Sequence, residues 1–206
     1  MVSAAMSLID GKLRDELVRA YAEPERHYHN LAHIEAMLQL MRSYENALSD
    51  PQSVEAAIWF HDVIYDTRRH DNEEKSADLV ASRLAGLFSA DRIAFVVGMI
   101  RASASHHVPE EFDEVQRLDC ALFLDTDLSV LGSTPDLFDA YEDAVRREYG
   151  WVPDALWREG RRRVLQGFLD RPAIYMSSQF RASHEVAARA NLMRSLQRLL
   201  ERLAHP

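Results

Sequence analysis

"DPQSVEAAIWFHDVIYD" (Asp50 to Asp66) is the stretch on which the reading of this chain turns. It opens with Asp50 as a helix cap and Pro51 at the first helical position, where a missing N–H costs nothing. Val54, Ile58 and His61 then fall at i, i+4 and i+7, which is one face of a helix. His61 therefore shares the apolar stripe and points toward the core. Asp62 stands at the edge of that buried face. A carboxylate there is costly unless something positive pairs with it. A divalent cation would serve, since imidazole and carboxylate both ligate borderline metals.

The segments on either side read as further helices. "LAHIEAMLQLMRSYENAL" keeps close to a helical period through Leu31, Ile34, Leu38, Met41 and Leu48, with Asn30 as its N-cap. "DNEEKSADLVASRLAGLF" starts at Asp71 with Glu74 three residues on, close to a capping box. "DRIAFVVGMIRASASHH" follows after a short turn, and "EEFDEVQRLDCALFLDTDLSVLG" is expected to be helical to about Leu124 and to end near Gly132. "TPDLFDAYEDAVRREYG", "VPDALWREGRRRVLQGFLDR" and "ASHEVAARANLMRSLQRLLERLA" complete the set. No segment alternates as a strand would, and there is no repeat or long linker. The expectation is an all-α, single-domain helical bundle over residues 1–206, with the motif region at 30–132 and the helices of 133–206 packed on it. The stripe Val186, Met193, Leu196, Leu200 and Leu203 is expected to pack within the chain, with a homodimer as the other option.

Composition narrows the function classes. A net charge of −9 argues against broad nucleic-acid binding. No apolar run reaches the length of a membrane span, and the N-terminus lacks the basic start of a signal peptide. Cys120 is the single cysteine, so no intrachain disulfide can form and a cytoplasmic setting is expected.

Two ligands on one helix do not hold a metal, and the sequence offers others: His33 in "HYHNLAHIE" and Asp127 in "DTDLSVLG". One His, then an adjacent His-Asp, then a distant Asp, all in helical context, resembles the HD superfamily of metal-dependent phosphohydrolases over Asn30 to Gly132. The phrases "HYHNLAHIE", "WFHDVIYD", "DNEE" and "DTDLSVLG" are similar to its bacterial branch of predicted HD phosphohydrolases. The resemblance implies an HD-type bundle with His33, His61, Asp62 and Asp127 as ligands of a divalent ion (Mn, Fe, Co, Ni, Zn or Mg). Asp125, two residues before Asp127, is the competing carboxylate. Each residue also has a plain structural reading: a satisfied helix histidine, a hydrogen-bonded His-Asp core pair, an aspartate capping a turn.

The implied chemistry is hydrolysis of a small phosphate ester, possibly a nucleotide, by a metal-activated water. Asp66 and Glu73 are the candidate proton acceptors. Arg26, Arg68 and His106 are the candidates for holding substrate phosphate, whereas "RRR" (Arg161 to Arg163) reads mainly as a solvated face. In the relatives that hydrolyse the alarmone ppGpp, a Glu-Asp pair follows the His-Asp. Here Tyr65 takes the Glu position and Asp66 matches the Asp. Two alternatives stand beside the leading reading: a ppGpp-like pyrophosphohydrolase, and a non-catalytic metal-bearing domain that binds a nucleotide or a protein partner.

Overall fold

Capping chemistry and apolar periodicity set where each helix begins, and the computed structural model describes the outcome for residue 9 and residues 11–204, with side chains through residue 201. The order is α1 (Gly11–Tyr21), α2 (Leu31–Arg42), α3 (Pro51–Phe60), α4 (Asn72–Arg83), α5 (Ala90–Ser103), α6 (Glu114–Asp127), α7 (Pro135–Glu148), α8 (Asp154–Leu169) and α9 (Ser178–Ala204). Tight 3₁₀ turns cover Glu45–Ala47 and Leu128–Gly132. Among the described residues there is no strand, only an isolated bridge between Ala85 and Phe88. The fold class is all-α.

The caps explain the starts. Asn30 accepts the N–H groups of Ala32 and His33, Asp50 accepts that of Ser53 with Pro51 at the first turn, and Ser89 accepts that of Arg92. The α4 start falls at Asp71 as read, but its capping box does not form: Asp71 makes no side-chain cap bond and pairs with Arg69 at 2.7 Å, while Glu74 reaches out to Arg101 at 2.6 and 2.8 Å. Two arginines within reach outbid the backbone for these carboxylates. Helix α1, which buries Leu17 and Tyr21, was not expected from the sequence. Helix α6 continues to Asp127 rather than stopping near Leu124.

The chain divides into two compact units, residues 1–126 and 127–206. In the first, α3 is the centre and packs against α2, α4 and α5. It is apolar all round, with Val54, Ala56, Ala57, Ile58, Trp59 and Phe60 all buried, as a core helix must be. Each large side chain there contributes roughly 1.5–3 kcal/mol on burial. Both ends of α3 are tied by side chains from distant segments. At its N-terminus the Asp119 carboxylate accepts the Ser49 and Asp50 N–H groups at 2.9 and 2.8 Å. At its C-terminus Tyr21 donates to the Trp59 carbonyl at 3.0 Å, and Arg26 donates to the carbonyls of Asp62 and Val63 at 2.6 and 2.9 Å.

In the second unit α8 and the 128–132 turn pack on α9. Asn191 donates to the Leu131 and Ser133 carbonyls, both at 2.9 Å, and Tyr175 to that of Leu128 at 3.1 Å. The turn approaches α9 so closely that a Cβ on Gly132 would lie 2.7 Å from the His184 Cβ. Two expectations change here. Arg161 is buried, paired with Glu142 and bonded to Tyr141 Oη at 2.9 Å, while Arg162 and Arg163 share Glu159 on the surface. His184 is half-buried and stacks on Phe180 with ring centroids 4.8 Å apart. The α9 stripe does not pack within the chain at Val186, Met193 or Leu200, which are 85, 55 and 50% exposed; Leu196 is half-buried, and the Leu203 side chain and His205 lie outside the described residues.

Candidate metal centre

His33 enters the site because Asn30 starts α2 three residues before it, which puts the imidazole on the first turn, next to buried Ile34 and Met37. His61 follows the last residue of α3 and keeps a helical conformation (φ −58°, ψ −38°). Its backbone N–H completes the helix through the Ala57 carbonyl. Its ring Nδ1 lies 2.9 Å from the Ile58 carbonyl oxygen. A carbonyl can only accept, so Nδ1 carries the proton and Nε2 presents a lone pair. Asp62 is the next residue and 9% exposed.

These three side chains converge. His33 Nε2 lies 3.4 Å from His61 Nε2, and His61 Nε2 lies 3.1 Å from Asp62 Oδ2. Ligand atoms of all three lie within 4.8 Å of one another, and all three residues are buried. Ligand atoms about 2.0–2.1 Å from a common cation stand about 3.0 Å apart in octahedral and about 3.3 Å apart in tetrahedral geometry. The two observed separations fall on those edges, so the donor set fits a small divalent ion. Aromatic rings wall the group: Phe123 meets His61 edge-on at 5.8 Å, and Tyr28 lies 4.9 Å from His33. Beyond them His29 stacks on Tyr65 at 4.3 Å.

Asp127, the fourth expected ligand, is the last residue of α6 and the first of the second unit. It makes no cap bond to the turn that follows. Asp125 belongs to the first unit and is fully buried. Asp66 is exposed; its carboxylate accepts the Arg68 N–H at 2.9 Å, and its backbone exchanges hydrogen bonds with the Asn72 amide at 3.1 and 3.0 Å. Those bonds close the loop over 66–72 and leave Arg68 exposed on it. Glu73 is half-buried in the first turn of α4. His106 is half-buried just past α5 with φ +51°, a left-handed conformation in which a helix commonly ends.

Arg26 is corrected outright. Its side chain is 2% exposed. Nε donates to Glu23 at 3.0 Å, one terminal nitrogen to the carbonyls of His29 and Asp62, the other to that of Val63. A guanidinium committed to three carbonyls and a carboxylate has no face for a phosphate. Sequence reasoning missed this role, and that of Tyr21, because the bonds join residues 36 to 38 positions apart and no local pattern encodes them.

At the far end of α3, burial raises the Asp50 carboxyl, but bonds from Arg92 and Ser53 outweigh it and hold the group below the usual carboxylate range. Burial pushes Asp119 up, only partly offset by its two backbone N–H donors. No helix among the described residues is long and apolar enough to cross a membrane. No protein-family model, curated protein or solved structure matches the chain.

Proposed function

We propose that this protein is a metal-dependent phosphohydrolase of the HD type, acting on a small phosphorylated substrate in the cytoplasm. One observation carries the reading: two imidazole nitrogens and a carboxylate oxygen meet at ligand spacing inside a buried, aromatic-walled site. The resemblance of "HYHNLAHIE" and "WFHDVIYD" to HD phosphohydrolases supplies the reaction class and names Asp127 as a further ligand.

The residues have distinct tasks. Ile58, through its carbonyl, holds His61 in the tautomer whose Nε2 carries the ligating lone pair. His33 and Asp62 would join it in the donor set, and the carboxylate would offset part of the cation's charge. A divalent ion held there supplies Lewis acidity toward a phosphoryl oxygen and makes a water nucleophilic near neutral pH. Phe123 and Tyr28 exclude bulk solvent, which strengthens every charge interaction in the site. Glu73 is the proton acceptor we assign in preference to Asp66, whose carboxylate already accepts a backbone N–H of its own loop.

The test is a panel of phosphorylated metabolites assayed with Mn²⁺, Co²⁺, Ni²⁺, Zn²⁺ and Mg²⁺, in wild type and in His61→Ala. Phosphate release in wild type, lost in His61→Ala together with bound metal, is the expected result. Unchanged metal content and unchanged turnover in His61→Ala would end the reading. Asp127→Asn tests the further ligand separately through metal stoichiometry and affinity.

A further inference from the structure

We infer that Arg26 is a positioning residue for the metal centre: its buried guanidinium clamps the turn that carries Asp62 to the segment that leads into His33. The inference rests on the metal reading above.

The His61–Asp62 pair stands at the C-terminal end of α3, where a helix leaves carbonyls without partners. The bonds to those carbonyls are specific. Ile58 O faces the His61 ring, Trp59 O accepts from Tyr21 at 3.0 Å, and Phe60 O accepts the Val63 N–H at 3.2 Å. Asp62 O and Val63 O accept from the two ends of the Arg26 guanidinium. The same group also holds His29 O at 3.2 Å, in the segment just before the Asn30 cap. One planar cation thus spans both ligand-bearing segments, and its position at a helix C-terminus is favoured by the helix dipole. The guanidinium also lies over the Tyr21 and Tyr65 rings at 5.2 and 5.5 Å, so it cannot swing away without unpacking them. Arg26 does not touch the ligand atoms. It fixes the backbone from which Asp62 projects, as an outer-layer partner does in metal sites generally.

A lysine carries one compact ammonium and cannot reach three carbonyls at once, so Arg26→Lys should restore little. Arg26→Met keeps the apolar stem and removes every donor.

The experiment uses full-length protein, stripped of metal and titrated with Zn²⁺ against a chelating indicator. Wild type, Arg26→Met, Arg26→Lys, His61→Ala and Val80→Ala are compared; the last is a core-cavity control on α4. Melting temperatures and circular dichroism establish that each variant is folded. Amide hydrogen exchange on the metal-free proteins reads His61, Val63 and Ile64 directly. The expected result is a Zn²⁺ affinity lowered about 10- to 100-fold in Arg26→Met. It should come with faster exchange confined to residues 61–64, while Val80→Ala of matched melting temperature keeps near-wild-type affinity. Arg26→Met affinity within twofold of wild type, or a loss that Val80→Ala reproduces, overturns the assignment. Wild type that takes up no Zn²⁺, or His61→Ala that binds as wild type does, defeats the metal reading and the positioning role with it. Faster exchange alone would then mark a purely structural clamp.

Discussion

Asp119 offers the most direct test of how α3 is held. Its carboxylate is 1% exposed and accepts two backbone N–H groups, from Ser49 and Asp50, at the start of the helix that carries His61. Asp119→Ala leaves both donors without that partner. Each unmet donor costs on the order of 1–3 kcal/mol when buried. Ser49 is exposed and Asp50 half-buried, so water recovers part of the loss and the low end applies. The net destabilisation is about 2 kcal/mol, or about 4–8 °C in Tm for a chain of this size. Asp119→Asn keeps one accepting oxygen and should lose about half as much. Thermal melts followed at 222 nm, at neutral pH and moderate salt, measure both. An alanine variant melting within 1 °C of wild type would show that the tie at Asp119 does not hold the helix start, and the account of α3 as pinned at both ends would fail.

Three further outcomes follow from single sites. The Asp50 carboxyl, with its ordinary value near 4 and its folded value lowered, contributes stability that is present above about pH 4 and is lost as pH falls through the folded value; Asp50→Asn, which keeps a good N-cap, should flatten that acid limb in melts taken below pH 4, and an unchanged limb would count against the Arg92 pairing. Cys120 is fully buried and burial pushes its thiol up to about 12, so it should resist a disulfide reagent in the native protein at pH 8 and react only after denaturation; rapid native labelling would contradict the packing around α6. The Thr126 hydroxyl is buried without a hydrogen-bond partner, so Thr126→Val should raise stability by about 1 kcal/mol, some 2–4 °C, and a loss of Tm would mean the hydroxyl is satisfied after all.

The Asp119 and Arg26 ties also mark where sequence reasoning stopped. Asn30, Asp50 and Pro51 announced two helix starts because a cap acts within four residues of itself, and the structure forms both bonds as read. The capping box at Asp71 was read by the same logic and does not form, because Arg69 and Arg101 compete for its carboxylates and the second of them is distant in sequence. "RRR" looked like one solvated face, yet burial singled out Arg161 and left Arg162 and Arg163 outside. A helix turns 100° per residue, so one of three successive arginines can face the core while the next two stay on the surface.

The sequence alone therefore determined the all-α class and the pairing of His61 with Asp62 at the end of a core helix, because periodicity and capping are local. It also nominated His33 as their partner. Only the tertiary structure decided that His33 Nε2 reaches within 3.4 Å of His61, which nitrogen of His61 presents its lone pair, and that Arg26 serves backbone carbonyls rather than a phosphate. Those facts depend on where segments tens of residues apart come to rest, and that is settled by the packing of the whole unit around α3.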